Sequence, residues 1–436
     1  MKKWKIKFKE GLFKELNNYL FSNSPEENGC FLLGDSKDKI IFITDIIYPE
    51  NEEWIQRGED MCVPSPSYVI HSSVIADKHS SSLIFVHSHP KEHHPSSFSW
   101  IDEISNKKMF ENLGEVHKEP LGSFVFSRKG IHGVVFNSGI EESIDNFSIY
   151  GERINIIPDS ESDLNTLDKV EFDRQIRFMG KEVNILSNLN IAIVGLGGIG
   201  SPIAVMLAKM GAKKMTFFDH DKVEKHNLPR ILGANEKSIG SYKVEVVKDF
   251  ISSFNSVDIK INFYGINSDS NLSEFDVIFG CVDNHTTRDI INQQSLIFNI
   301  PYIDMACSIP MDNKKKVCQA VIAVSTVLNG KPCLWCNGTL DAMAIMEESL
   351  SDEEKKQRES DGYIQHVHKA PSVITLTSAV ASFGINRLLN LINILPGEYP
   401  DKMMFDFNSS MYFEPQVEIK EKCDCSKRKV FKQKLS

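Results

Sequence analysis

Residues 190–200 read Asn-Ile-Ala-Ile-Val-Gly-Leu-Gly-Gly-Ile-Gly. Asn190 to Val194 is an apolar strand. Gly195, Gly197, Gly198 and Gly200 form a turn without side chains, and Pro202 to Met210 follows as a helix. Glycine lets backbone approach a phosphate, and the start of a helix favours negative charge. Asp219 ends the next strand, Met215 to Phe218, where a carboxylate can meet ribose hydroxyls. Asp276 to Phe279 is a later strand. Buried strands alternating with helices predict an α/β fold with a parallel, doubly wound sheet covered on both faces. A glycine turn of this kind serves hydride-transferring enzymes as well as users of ATP.

The residues around the turn separate those two options. Asn227-Leu228-Pro229-Arg230 and then Lys243 place two cations downstream of Asp219. Two cations near an adenosine site suit a triphosphate, where charge develops on the α-phosphoryl group. Asp283 follows the Asp276–Phe279 strand at the same sheet edge, where a carboxylate can share Mg²⁺ with the phosphates. Upstream, Phe172 to Phe178 carries Arg174, Gln175 and Arg177.

This set resembles the ubiquitin-activating superfamily, which includes the ThiF, MoeB and HesA adenylyltransferases. The resemblance runs from about residue 168 to 425. It implies a Rossmann-like adenylation domain that uses ATP and Mg²⁺ to adenylate the C-terminal carboxylate of a ubiquitin-like protein. It assigns Asp219 to ribose, Arg230 and Lys243 to the ATP phosphates, and Asp283 to Mg²⁺, with Asn227 part of the match. It sends Arg174 to the γ-phosphate, often from the other subunit of a homodimer.

Cys333-x-x-Cys336 and Cys423-x-Cys425 fit a closed, structural Cys₄ zinc site. The resemblance agrees, since related adenylating enzymes carry paired cysteines there. Cys30, Cys62, Cys281, Cys307 and Cys318 read as small core residues. Many activating enzymes hold a thioester cysteine in the loop that crosses the nucleotide site. Here that loop falls near 337–371, which contains no cysteine. The expectation is adenylation without a thioester on this loop, the adenylate passing to a conjugating enzyme or a sulfur donor.

Residues 138–170 are rich in Asp, Glu, Ser and Asn. They predict a domain boundary: a first domain over 1–140, a linker over 141–167 and the α/β domain over 168–436. In the first domain, 11–21 has helical apolar spacing. Cys30 to Leu33 and Lys39 to Ile47 read as strands, and 123–136 as a hairpin around Lys129-Gly130. Leu83 to Val86 is a buried strand that runs into His87-Ser88-His89-Pro90. Strand side chains alternate, so His87 and His89 share a face and can grip one metal ion. Ser99 starts a helix as its N-cap and Asp102 stands three residues on, on the same face. Two histidines, one carboxylate and one open position make a catalytic zinc site with water as the nucleophile. Glu27, ahead of the strand that ends at Gly34, can serve as general base.

These residues resemble the JAB/MPN (JAMM) metalloproteases, which cleave ubiquitin-like modifiers from their targets. The resemblance covers residues 1–140 and implies an α+β domain with a curved sheet. It makes His87, His89 and Asp102 zinc ligands, Glu27 the base, and Ser99 a stabiliser of the tetrahedral intermediate. The His89–Ser99 segment is two residues longer than the usual spacing and holds His93 and His94, which read as solvated loop residues.

The chain has 436 residues, 41% of them hydrophobic, and a formal net charge of −10. That charge argues against binding nucleic acid through phosphate neutralisation. No run of 18 apolar residues predicts a membrane span, and the basic N-terminus lacks a signal-peptide pattern, so a cytoplasmic protein is expected. The combined expectation is a bifunctional enzyme that activates a ubiquitin-like protein and also trims or deconjugates it. Activation and processing of a sulfur carrier for biosynthesis is the second reading. A modifier-binding scaffold with an inactive first domain is the third.

Overall fold

The computed structural model describes residues 3–50, 52–91, 97–114, 116–160, 171–312, 316–351, 353–354 and 371–426. His93 and His94, residues 352 and 355–370 of the 337–371 loop, and the C-terminal tail from 427 lie outside the described residues. The chain divides into two compact units, Met1–Leu164 and Asn165–Arg428.

The first unit is built from β1 (Trp4–Lys9), α1 (Glu10–Leu20), β2 (Gly29–Lys37), β3 (Ile40–Ile47), β4 (Trp54–Arg57), β5 (Cys62–Pro64), α2 (Pro66–His79), β6 (Ser82–His89), α3 (Trp100–Gly114), β7 (Leu121–Ser127), β8 (Ile131–Asn137), β9 (Ile140–Tyr150) and β10 (Ile154–Pro158). Seven strands run in the order β1-β3-β2-β6-β7-β8-β9, and β1 pairs again with β9. The sheet therefore closes into a barrel with β10 added beside β9, rather than staying open and curved. β4 and β5 form a separate hairpin. Closure leaves an interior filled by alternate residues: Ile6, Phe8, Cys30, Leu32, Ile84, Val86, Phe124 and Phe147 are all at most 1% exposed. A second cluster, with Phe31, Tyr68, Phe85 and Phe110, packs α2 and α3 on the outside.

The expected linker at 141–167 is a strand for much of its length. β9 pairs with β1 in parallel from Trp4↔Ile144 to Lys9↔Tyr150, and with β8 and β10 antiparallel. Its outer half, Ile140 to Ser143, is solvated, which gives the stretch a linker's composition, while Ile144, Phe147 and Ile149 face the core.

The second unit contains α4 (Asp173–Met179), α5 (Val183–Asn188), β11 (Asn190–Val194), α6 (Gly200–Lys209), β12 (Lys214–Phe218), α7 (Lys243–Ser252), β13 (Asp258–Asn262), β14 (Val277–Gly280), α8 (His285–Phe298), β15 (Tyr302–Ser308), β16 (Val321–Val327), α9 (Ala342–Glu348), α10 (Ile374–Leu391), β17 (Lys402–Asp406) and β18 (Met411–Phe413). Its sheet runs β13-β12-β11-β14-β15-β16-β17-β18. The first five strands are parallel; the last three join them antiparallel. The sheet is Rossmann-like but mixed, not parallel throughout. From β11 the chain goes to β12 and β13 on one side, then crosses to β14 and β15 on the other. The crevice at that reversal is where open α/β sheets bind ligands, and the glycine turn follows β11. No described helix is long and apolar enough to cross a membrane.

Candidate functional site

In the first unit, all eight residues of β6 are buried, and the strand continues through His87 and His89. Their alternation puts both rings on one side, with Nε2 atoms 3.3 Å apart. Asp102, in the first turn of α3, approaches both: Oδ1 is 3.2 Å from His87 Nε2 and Oδ2 is 3.4 Å from His89 Nε2. A tetrahedral zinc with ligands at about 2.0–2.1 Å has ligand–ligand edges of roughly 3.3–3.4 Å. The His87–His89 separation matches such an edge, and Asp102 brings a carboxylate oxygen to 3.2–3.4 Å from each imidazole, so this donor set fits a metal ion.

Ser99 and Asp102 cap the helix reciprocally. The Asp102 amide donates to Ser99 Oγ at 3.3 Å, and the Ser99 amide to Asp102 Oδ2 at 2.7 Å. The cap therefore also aims the carboxylate. Glu27, 3% exposed, reaches within 3.8 Å of His89 Nε2. Glu27, His87 and His89 offer ligand atoms all within 4.8 Å of one another. The backbone of Glu27 is pinned: its amide donates to Gly58 O, and Arg57 Nε donates to its carbonyl. Burial raises the Glu27 pKa to about 8, against the opposing pull of His89. A bound cation would reverse that balance. Burial also disfavours Asp102 ionisation, but the charge and hydrogen bonds of His87, with those of His89 and Ser99, hold its carboxyl well below the usual range.

In the second unit, two glycines of the turn have no substitute. Gly195 has φ +90°, and a Cβ on it would meet Cys281 O at 2.7 Å. A Cβ on Gly200 would sit 1.8 Å from Gly195 O. Gly197 has open space where a Cβ would be, and Gly198 packs against Arg230 Cδ and the Thr377 side chain. Asp219 braces the turn. Its Oδ2 accepts from the Leu196 amide at 2.7 Å and its Oδ1 from the Asp221 amide at 2.8 Å. Burial raises its pKa, against the pull of Lys243 and those amides.

Lys243 begins α7 and is 9% exposed. Its Nζ donates to Asp221 Oδ2 at 2.6 Å and lies 4.0 Å from Asp219 Oδ2. Arg230 donates from an Nη to Asn227 Oδ1 at 3.1 Å, while its Nε is buried with no partner among the described residues. A buried, unanswered guanidinium N–H suits a missing acceptor such as a phosphate oxygen.

The structure thus brings Gly195–Gly200, Asp219, Asn227, Arg230 and Lys243 to one crevice. Asp283 is exposed just after β14, joined to the turn through the Cys281 carbonyl against Gly195. Arg174 is exposed on α4, and no hydrogen bond or ion pair among the described residues ties it to this group. Arg177 pairs with Asp173 one turn away. Asp221 and Thr377 escaped the sequence reading. The second acid of Asp219-His220-Asp221 was a visible signal for Asp221; Thr377, some 180 positions downstream by its number, gave none.

Cys333, Cys336, Cys423 and Cys425 converge, with all four sulfurs within 4.8 Å of one another. Tetrahedral zinc–sulfur bonds of about 2.3 Å give edges of roughly 3.8 Å. The Cys333–Cys336 pair is at 3.9 Å, and Cys333–Cys423 and Cys336–Cys425 are at 3.4 Å. The donor set fits a closed structural zinc. The Lys420 amide points at Cys336 Sγ at 3.4 Å. Burial opposes the Cys336 thiolate, but that N–H and the neighbouring thiols lower its pKa to about 7. Cys318 is exposed, not a core residue.

Residues 172–427, more than half of the chain, match the ThiF family model. Ubiquitin-like modifier-activating enzyme 5 of Dictyostelium discoideum is 32% identical over 163 residues, which cover 34% of this chain and 42% of that protein. The molybdopterin-synthase adenylyltransferase of Escherichia coli is 27% identical over 182 residues, 40% of this chain and 70% of that protein. Among solved structures, E. coli MccB with AMPCPP and MccA aligns at TM-score 0.48 and 16% identity, covering 61% of this chain and 76% of that one. The chain thus spans less than half of the first of these relatives, and likewise 39% of the adenylyltransferase and sulfurtransferase MOCS3 of Aedes aegypti, to which it is 28% identical over 182 residues.

Proposed function

The chain belongs to the ThiF family, and from that premise we propose that its second unit uses ATP and Mg²⁺ to adenylate the C-terminal carboxylate of a small carrier protein. The observation that carries this is the crevice itself: a side-chain-free turn flanked by Asp219, Asn227, Arg230 and Lys243. Asp219 retains lone pairs beyond its two amide bonds for ribose hydroxyls. Lys243 leaves Asp221, and Arg230 offers its buried Nε, to the triphosphate. Both cations then stabilise charge on the α-phosphoryl group as the carboxylate attacks and pyrophosphate departs. Asp283 would hold Mg²⁺, and Arg174 would reach the γ-phosphate, from the partner in a homodimer.

Both kinds of relative, a ubiquitin-like modifier-activating enzyme and a molybdopterin-synthase adenylyltransferase, support a small protein as substrate. The second is matched over the larger share of its length. The order of the two sequence expectations therefore reverses: a sulfur-carrier type of substrate comes first and a conjugated modifier second. The test is ATP–pyrophosphate exchange with the purified chain. Exchange that appears only with a small protein ending in glycine supports the reading; no exchange with any such protein removes it.

For the first unit we propose zinc-dependent peptide or isopeptide hydrolysis of the same carrier, supported by the His87–His89–Asp102 edges and the adjacent Glu27. Zinc held there would acidify a water molecule. Glu27 would take a proton from that water and return it to the leaving amine, and Ser99 Oγ would stabilise the oxygen that gains charge. A modifier-binding scaffold would carry the same fold without needing the metal. Zinc content and the Glu27→Ala variant separate the two.

A further inference from the structure

The segment leaving the first cysteine pair is fastened along α8 by a ladder of polar contacts. The Leu334 amide donates to Asn292 Oδ1 at 3.0 Å, and Trp335 Nε1 to Asp289 Oδ1 at 2.7 Å. The Asp341 amide donates to His285 Nδ1 at 3.3 Å. Residues 292, 289 and 285 step back along one face of the helix towards its N-terminus. There α9 delivers Glu348. Its Oε1 accepts from the His285 amide at 2.8 Å. Its Oε2 accepts from the Thr286 amide at 2.8 Å and the Thr286 hydroxyl at 2.6 Å. Those amides are among the donors that a helix start leaves unpaired. The Asn284 side chain takes the next one, from Thr287. Burial disfavours the Glu348 carboxylate, but the Thr286 hydroxyl and the two amides outweigh it and lower its pKa.

The two ends of this segment are held differently. At the thiol cluster Cys333 and Leu334 are fully buried, and Leu340 is 6% exposed. No residue of α9 is buried, and Met343 is 59% exposed. Apolar packing fixes the first end; polar bonds centred on Glu348 hold the second. An element without buried apolar contacts opens at low free energy. It is fastened at a sensitive place. His285 is two residues beyond Asp283, and the same loop puts the Cys281 carbonyl against Gly195.

We propose that residues 333–348 are a strap, anchored at the cysteine cluster and latched by Glu348 onto the first turn of α8. The strap unlatches when the C-terminal peptide of a carrier protein enters the nucleotide crevice. The occasion for unlatching rests on the adenylation reading; the latch does not.

Hydrogen exchange of the full-length, zinc-loaded chain tests the latch alone. In Glu348→Ala, peptides covering 285–287 and 342–348 should exchange about tenfold or more faster, with β11 and β12 unchanged. Glu348→Gln keeps one neutral acceptor and should fall between. Unchanged exchange in Glu348→Ala overturns the latch. ATP–pyrophosphate exchange with a glycine-ended carrier tests its purpose. Glu348→Ala should lower the KM for the carrier about threefold or more, with kcat within about twofold, because the cost of opening is removed. A raised KM with a reduced kcat overturns the gating role and leaves Glu348 a merely structural cap. If the wild-type chain supports no exchange with any carrier, the adenylation reading and this gating role fail together, while hydrogen exchange still decides the latch.

Discussion

Single residues divide into those that hold and those that react. Asp102 holds: it caps α3 and faces both imidazoles, so its removal should cost the helix its cap and the proposed zinc a ligand together. Glu27 is separable. It stands 3.8 Å from His89 Nε2, and its own backbone is fixed by the Gly58 carbonyl and the Arg57 side chain. Glu27→Gln should lower cleavage of a carrier fusion by about 10²-fold or more, the contribution of a positioned acid–base group. Zinc content should stay at the wild-type level. Cleavage at wild-type rate by that variant would remove Glu27 from the reaction. Lys243 makes the matching case in the other unit. Its partner in this structure is Asp221, so its charge is already compensated without ATP. Lys243→Ala should reduce kcat for ATP–pyrophosphate exchange on the order of 10²-fold, typical of losing one charge aimed at a transition state. Lys243→Arg should restore part of that only if a point charge suffices. Equal activity in Lys243→Ala and wild type would place the phosphates elsewhere.

Elements show where sequence was readable and where it was not. The strand–turn–helix at 190–209 is legible because each part states its own local requirement: apolar residues buried on both faces, then glycines, then a helix. Gly200 carries the strictest of these, since its missing Cβ would lie 1.8 Å from the Gly195 carbonyl. Backbone cannot yield as a flexible side chain can. Gly200→Ala should destabilise the second unit by about 2 kcal/mol or more. Calorimetry should show that as a Tm lowered on the order of 5 °C. An unchanged Tm would mean the turn relaxes freely. The His-x-His strand and the capped helix carrying Asp102 were legible for the same local reason. Barrel closure was not. It depends on Trp4 finding Ile144 across 140 positions by their numbers, with a bulge at Trp4/Lys5 that shifts register. β9 shows its apolar side only over its second half. The antiparallel strands β17 and β18 were hidden for a related reason: they follow a long helix, β17 buries residues on no regular alternation and all three residues of β18 are exposed, so periodicity marks neither face. Glu348 had no signal either, being one acid in an acidic stretch until α9 brings it to α8.

At the scale of the whole chain, two donor sets fit metal sites of two different kinds. The His87–His89–Asp102 set leaves a tetrahedral position open; the four cysteines fill theirs. Each lies in its own compact unit with its own buried core. The metals and the activities should therefore come apart. The purified chain should hold about two zinc ions, one in each type of site. His87→Ala should hold about one and lose cleavage, with ATP–pyrophosphate exchange within about twofold of wild type. Cys333→Ser should behave differently. Its sulfur sits at the base of the segment that runs along α8, so losing the cluster should also loosen Glu348 and the crevice. The expected result is one zinc fewer, a lowered Tm for the second unit, and faster hydrogen exchange at 285–287, with cleavage by the first unit retained. Elemental analysis of the three proteins, read beside both assays, checks this. Equal loss of both activities in His87→Ala would show that the two units act as one catalytic machine, and the separation argued from their cores would fall.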